Sequence, residues 1–156
     1  MPKFSLQVSA QLTNVTSIKP PDEYPWHLVL QCTSCGEKTS KPVVVSTSDE
    51  VEGIRKGVVS LKLTCKLCGR VNDVKLLQQG AYTEEASPDW AEILSLECRG
   101  LQPLEWIVAD DVPMEITSLN GPLEDGIIED GEFYGFDEKL GEEANVTELT
   151  SKFEKV

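Results

Sequence analysis

The stretch Leu28-Val29-Leu30-Gln31-Cys32-Thr33-Ser34-Cys35-Gly36 (residues 28–36) puts apolar residues on alternate positions and then sets two cysteines two residues apart. Side chains alternate across a strand, so Leu28, Leu30 and Cys32 share one face and the first thiol is delivered beside the core. Thirty-odd residues on, Leu61-Lys62-Leu63-Thr64-Cys65-Lys66-Leu67-Cys68-Gly69 repeats the design. A third L-x-L-x-C, Leu94-Ser95-Leu96-Glu97-Cys98, runs on into Arg99-Gly100-Leu101 without a second cysteine. It marks either a second lobe built like the first but without metal, or a coincidence in a leucine-bearing β protein.

The rest of the chain reads the same way. Phe4 to Leu12 alternates apolar and polar residues, and short runs rich in Val, Leu and Ile follow at 26–30, 43–47, 58–64, 71–77, 93–97 and 104–108. Turn-forming residues separate them, as an all-β fold requires. Helical signals are weak, at 88–93 and 142–150, so helix is expected to be a minor component. Gly, Pro, Ser and acids gather at 80–89, which places a joint there. The expected organisation is a first β lobe over 1–79, which carries both cysteine pairs, and a second β lobe over 90–156, the two forming one compact unit.

Zinc holds four thiolates tetrahedrally, and two intervening residues let one tight turn present both sulfurs of a pair to one ion. Gly36 and Gly69 follow the pairs where the chain must turn under the metal, commonly with positive φ. Cys32, Cys35, Cys65 and Cys68 are therefore the expected ligands of one structural Zn2+ per chain, with iron as an in-vitro substitute. The 29 residues between Cys35 and Cys65 exceed a compact zinc ribbon. A hairpin of 43–47 and 58–64 is expected to fill that gap. A redox couple would want one pair at a helix N-terminus, and these pairs end strands. Cys98 reads as a buried free thiol. His27, the only histidine, reads as no ligand; without a second one, most acid–base or triad schemes lack their base. No catalytic residue is assigned.

Five cysteines, four of them in metal-type pairs, suit a reducing compartment, so a cytoplasmic location is expected, with the nucleus as the alternative compartment. No run approaches the ~20 apolar residues that span a bilayer. The net charge is −13, and residues 110–143 carry twelve acids against one base, Lys139. Around the pairs, residues 32–78 hold eight bases, Lys38, Lys41, Arg55, Lys56, Lys62, Lys66, Arg70 and Lys75, against five acids. No aromatic residue occurs between Trp26 and Tyr82, so the pairs lack a stacking platform for bases, and nucleic acid is a remote alternative. The leading expectation is a monomeric, non-catalytic adaptor that binds another protein. Metal trafficking is the first alternative and thiol oxidoreductase a minor one. Ile127, Ile128, Phe133, Tyr134 and Phe136 interrupt the acids, and either pin the acidic segment to the core or anchor a basic partner.

Together, the alternating N-terminal strand, C-T-S-C-G, C-K-L-C-G-R-V-N and Glu97-Cys98-Arg99-Gly100-Leu101-Gln102-Pro103 resemble the eukaryotic CXXC-motif-containing zinc-binding protein family over nearly the whole chain. The resemblance implies coiled antiparallel sheets in two related lobes, with one zinc on Cys32, Cys35, Cys65 and Cys68. It brings no established enzymatic activity and leaves the biological role open.

Overall fold

The computed structural model describes residues 2–54 and 57–156. Arg55 and Lys56, two of the eight bases counted around the cysteine pairs, lie outside the described residues. Among the described residues every regular element is a strand, and all pairings are antiparallel.

The largest sheet has six strands: β14 (Phe133–Asp137), β15 (Glu142–Lys155), β1 (Lys3–Thr13), β10 (Ala91–Arg99), β8 (Val71–Gln79) and β7 (Leu61–Thr64), in that order. Three of these strands precede residue 80 and three follow residue 90. A second sheet runs β11 (Leu101–Ile107), β3 (Trp26–Cys32) and β4 (Val43–Val45). A third runs β13 (Gly121–Pro122), β12 (Glu115–Ser118), β2 (Val15–Lys19) and β9 (Tyr82–Thr83). The ribbon β5 (Val51–Glu52) and β6 (Val58–Val59) completes the set.

The core fills the space these sheets enclose. Phe4, Leu6, Val8 and Ala10 of β1 point into it from alternate positions, as do Trp26, Leu28 and Leu30 of β3 and Leu94 and Leu96 of β10. The Trp26 ring meets Tyr24 and Trp106 at centroid distances of 4.9 and 5.3 Å, tilted as aromatic quadrupoles favour. Its indole N–H donates to Gln79 Oε1 at 2.8 Å, so this fully buried ring leaves no polar atom unpaired.

The all-β class holds, and two local expectations need correction. No helix forms among the described residues, and 142–150 lies in β15, the longest strand. A bulge conceals its period. Ser9 pairs with Thr150 and Gln11 with Thr147, so three residues of β15 oppose two steps of β1, and Glu148 takes a φ of +55°. The inward phase therefore shifts from Ala144 and Val146 to Ser151 and Phe153. The hairpin between 43–47 and 58–64 does not form either: β4 pairs with β3 and β7 with β8, while Val58 and Val59 pair with β5. Alternation shows that a segment is a strand without showing its neighbour. Within the 80–89 stretch, Tyr82 packs into the core and its hydroxyl donates to Asp89 O at 2.7 Å.

One buried carboxylate ties two sheets together. Asp137, closing β14, accepts hydrogen bonds from Ser118 Oγ (2.9 Å), Asn120 Nδ2 (3.0 Å) and the backbone N–H groups of Lys139 and Leu140 (3.1 Å each). Burial works to raise its pKa, but these donors outweigh burial and hold it below the usual aspartate range.

Two outcomes follow from this packing. Leu28→Ala, a truncation at a fully buried position, is expected to lower unfolding free energy by about 2–5 kcal/mol in urea titration. Because the folded-state pKa of Asp137 is depressed, its contribution is present above the unfolded value of about 3.9 and is lost as pH falls through the folded value. Asp137→Asn should therefore lower the melting temperature at pH 7, with the gap to wild type closing under acid.

Candidate metal centre

Both cysteine pairs close the same turn. In the first, Gly36 N donates to Cys32 O and Cys32 N to Glu37 O, each at 2.9 Å; in the second, Gly69 N donates to Cys65 O and Cys65 N to Arg70 O, again at 2.9 Å. Gly36 and Gly69 sit at φ +82° and +76°, as the turn requires. A Cβ at either glycine would meet no atom within 4 Å, so backbone conformation and not space selects glycine there.

The first knuckle is carried by β3 in the three-stranded sheet and the second by β7 at the edge of the six-stranded sheet, so the centre spans two sheets. The four Sγ atoms lie within 4.8 Å of one another, with Cys32 to Cys68 at 3.8 Å and Cys35 to Cys65 at 3.5 Å. Zn–S bonds of about 2.3 Å in a tetrahedron set sulfurs about 3.8 Å apart. The sulfurs are thus spaced for zinc, and Cys32, Cys35, Cys65 and Cys68 are the residues that would hold it. Cys32 and Cys65 are buried, whereas Cys35 and Cys68 face solvent.

Backbone dipoles prepare the site. The N–H of Cys35 leads in holding the Cys32 thiol down, to about 6, with the Ser34 N–H assisting. The N–H groups of Cys68 and Leu67 lower Cys65 in the same way. Cys35 receives the Glu37 N–H, yet desolvation and the adjoining thiols of Cys65, Cys68 and Cys32 push it up to about 12. Four thiolates this close repel one another; a dication offsets that repulsion and displaces the remaining protons.

The remaining sequence candidates fall elsewhere. Cys98 lies fully buried on β10 and is no member of the sulfur cluster. Burial, and then the nearby Asp73 charge, push its thiol up to about 12, where it is inert. His27 sits on β3 with Nδ1 3.0 Å from Pro25 O. One residue that spacing rules do not detect reaches the centre: Asn72, four positions past Cys68, points its side-chain amide at Cys32 Sγ from 3.9 Å. An asparagine on a strand carries no motif of its own.

Two matched knuckles closing a four-cysteine cluster within an all-β fold define a zinc-binding protein whose metal is structural, since four protein ligands leave no open position. The chain belongs to the family described as CXXC motif containing zinc binding protein, eukaryotic, which matches residues 5–154. Proteins of that name from Xenopus laevis and Homo sapiens are 32% and 31% identical to it over 160 residues, covering 99% of this chain and 99% of each relative. The crystal structure of C1orf123 superposes with a TM-score of 0.88 at 26% identity over 99% of both chains. A hypothetical protein from Plasmodium falciparum superposes equally well, at 0.88, with 16% identity, a likeness of fold alone.

Elemental analysis of the purified chain should give one zinc per molecule. Cys65→Ser should lose that zinc, and Cys98→Ser should retain it with a modest fall in stability from a hydroxyl on an apolar face. A strong chelator should lower the melting temperature of the wild-type chain and leave Cys65→Ser unaffected, because binding and folding of the knuckles are coupled.

Proposed function

We propose that the chain is a non-catalytic interaction protein, held in shape at one end by zinc and bound by a partner protein at the opposite edge of its main sheet. The observation that supports this reading is how the acidic segment divides its apolar residues. Ile128 and Phe133 are 2% and 6% exposed and pin the segment to the core, while Tyr134 and Phe136 are 63% and 55% exposed. Both exposed rings occupy alternate positions of β14, the edge strand farthest from the knuckles, on one face of the sheet.

Their surroundings define the partner's chemistry. Phe136 is paired across the sheet with Glu143, Tyr134 donates to Glu132 Oε2 at 2.8 Å, and a cleft of about 380 Å³ beside Phe136 is lined by Pro122, Leu123, Glu124 and Glu138. Aromatic anchors ringed by acids suit a protein segment with basic and apolar residues, the charges steering its approach and the rings supplying affinity. Asp137 also lines this cleft, but its carboxylate is committed to the clamp between sheets and offers a partner no free charge.

A second reading, metal transfer to a partner, draws on the exposure of Cys35 and Cys68, which an incoming thiolate can reach without unfolding the knuckles.

Replacing Tyr134 and Phe136 with serine, or Glu132, Glu138 and Glu143 with glutamine, is expected to leave zinc content unchanged and the melting temperature within a few degrees of wild type. Quantitative co-purification should show reduced capture of basic partners by both variants, and raised salt should mimic the glutamine set. Capture that is indifferent to all three changes returns β14 to the status of a solvated edge. Zinc passing to an acceptor protein faster than to a small chelator of equal affinity would favour metal transfer.

A further inference from the structure

We propose that Asn72 is a positioning residue of the metal centre: its side-chain amide, seated over Gly100, donates a hydrogen bond to the Cys32 sulfur and sets how fast that ligand is attacked and the metal released. The inference builds on the four-cysteine reading and assigns a task to two stretches that supply no ligand, Arg70-Val71-Asn72 and Arg99-Gly100-Leu101.

Asn72 lies on β8 with 1% of its surface exposed. A buried amide costs free energy unless its groups are paired, and an apolar side chain of the same size would avoid that cost. Its Nδ2 has one partner, Cys32 Sγ at 3.9 Å, and its Oδ1 is buried without one. The amide therefore finds its compensation at the sulfur, where a negative thiolate strengthens the bond and the bond lowers the charge that the thiolate offers an electrophile. Among the described residues no other side-chain N–H donates to any of the four sulfurs.

Gly100 makes this seat. It is the single residue between β10 and β11 and has φ +75°. A Cβ there would overlap Asn72 Oδ1 and fall 2.8 Å from its Cγ, so any larger residue displaces the amide. The Gly100 carbonyl accepts the N–H of Thr33 at 3.0 Å, which fixes the first knuckle to the same turn. Glycine is thus required twice over, by conformation and by the close approach of Asn72.

The route by which the bond matters is a cavity of about 350 Å³, lined by Asn72, Cys32 and Cys65 together with Lys38, Lys41 and Lys66. Cys32 lines this cavity but is only 2% exposed in all, so a small electrophile or competing ligand that enters it meets the Asn72 amide beside the sulfur.

The test uses the full zinc-loaded chain. Asn72→Leu keeps the volume and removes the donor; Asn72→Asp keeps the shape and replaces the donor with an acceptor; Gly100→Ala displaces the amide without touching its chemistry. Zinc release to excess chelator is followed together with iodoacetamide labelling of each cysteine, resolved by peptide mass spectrometry. Each variant is expected to release zinc about tenfold faster, the usual scale for a lost outer partner of a metal ligand. Labelling at Cys32 should rise more than at Cys35, Cys65 or Cys68. The Asn72→Leu/Gly100→Ala double variant should match the worse single variant, because both changes remove one bond. Equal acceleration at all four cysteines, or none at Cys32, overturns the proposal. A readout on the unaltered sequence guards against variants that do not fold. The Asn72 side-chain amide protons are expected to change chemical shift between the zinc-loaded and cadmium-substituted chains, and identical shifts in the two forms likewise overturn the assignment.

Discussion

Mutual repulsion among four thiolates, relieved by one dication, is the constraint on which the knuckle end of this protein depends. Cys32 and Cys35 follow β3, while Cys65 and Cys68 follow β7, and those strands belong to different sheets. The metal is therefore a tie between sheets as well as a staple within a loop. Backbone N–H groups aimed at Cys32 and Cys65 prepare two sulfurs for ionisation, and the cation completes the set. Exposure of Cys35 and Cys68 leaves the centre at the surface, so what protects the metal is ligand geometry more than depth.

Away from the metal, the same two-sheet arrangement is held by apolar packing. Trp26 and Trp106, on paired strands, stack near Tyr24, and β1 contributes an alternating inward row beneath them. The buried Asp137 gives a polar counterpart at the far end, joining the turn after β12 to the turn after β14 with four donors. The molecule thus has a polar tie at each end of its main sheet, zinc with thiolates near β7 and a carboxylate with hydroxyl and amide donors at β14. That division explains how one edge can carry a metal while the opposite edge presents exposed aromatic rings.

The acidic segment shows why a charge run needs a structure before it has a meaning. Its twelve carboxylates look equivalent in the sequence, yet Asp137 is an internal clamp whereas Glu132 and Glu138 face water. Its apolar residues divide likewise, because Phe133 and Tyr134 are neighbours on a strand and must point to opposite faces.

Two-residue cysteine spacing, the glycine after each pair and the period-two strands are local chemistry, so the sequence alone determined the all-β class, the four candidate ligands and the knuckle turns at Gly36 and Gly69. Strand partnership was not legible. Hydrogen-bonding along a strand edge is the same for any neighbour, so β4 and β7 looked like a hairpin while each pairs elsewhere. The bulge at Glu148 hid β15 by shifting its inward phase midway. Only the tertiary structure decided that Asn72 and Gly100, from separate stretches, meet at Cys32. That contact depends on the space left by a missing Cβ, and a distance across sheets leaves no period or spacing in the chain.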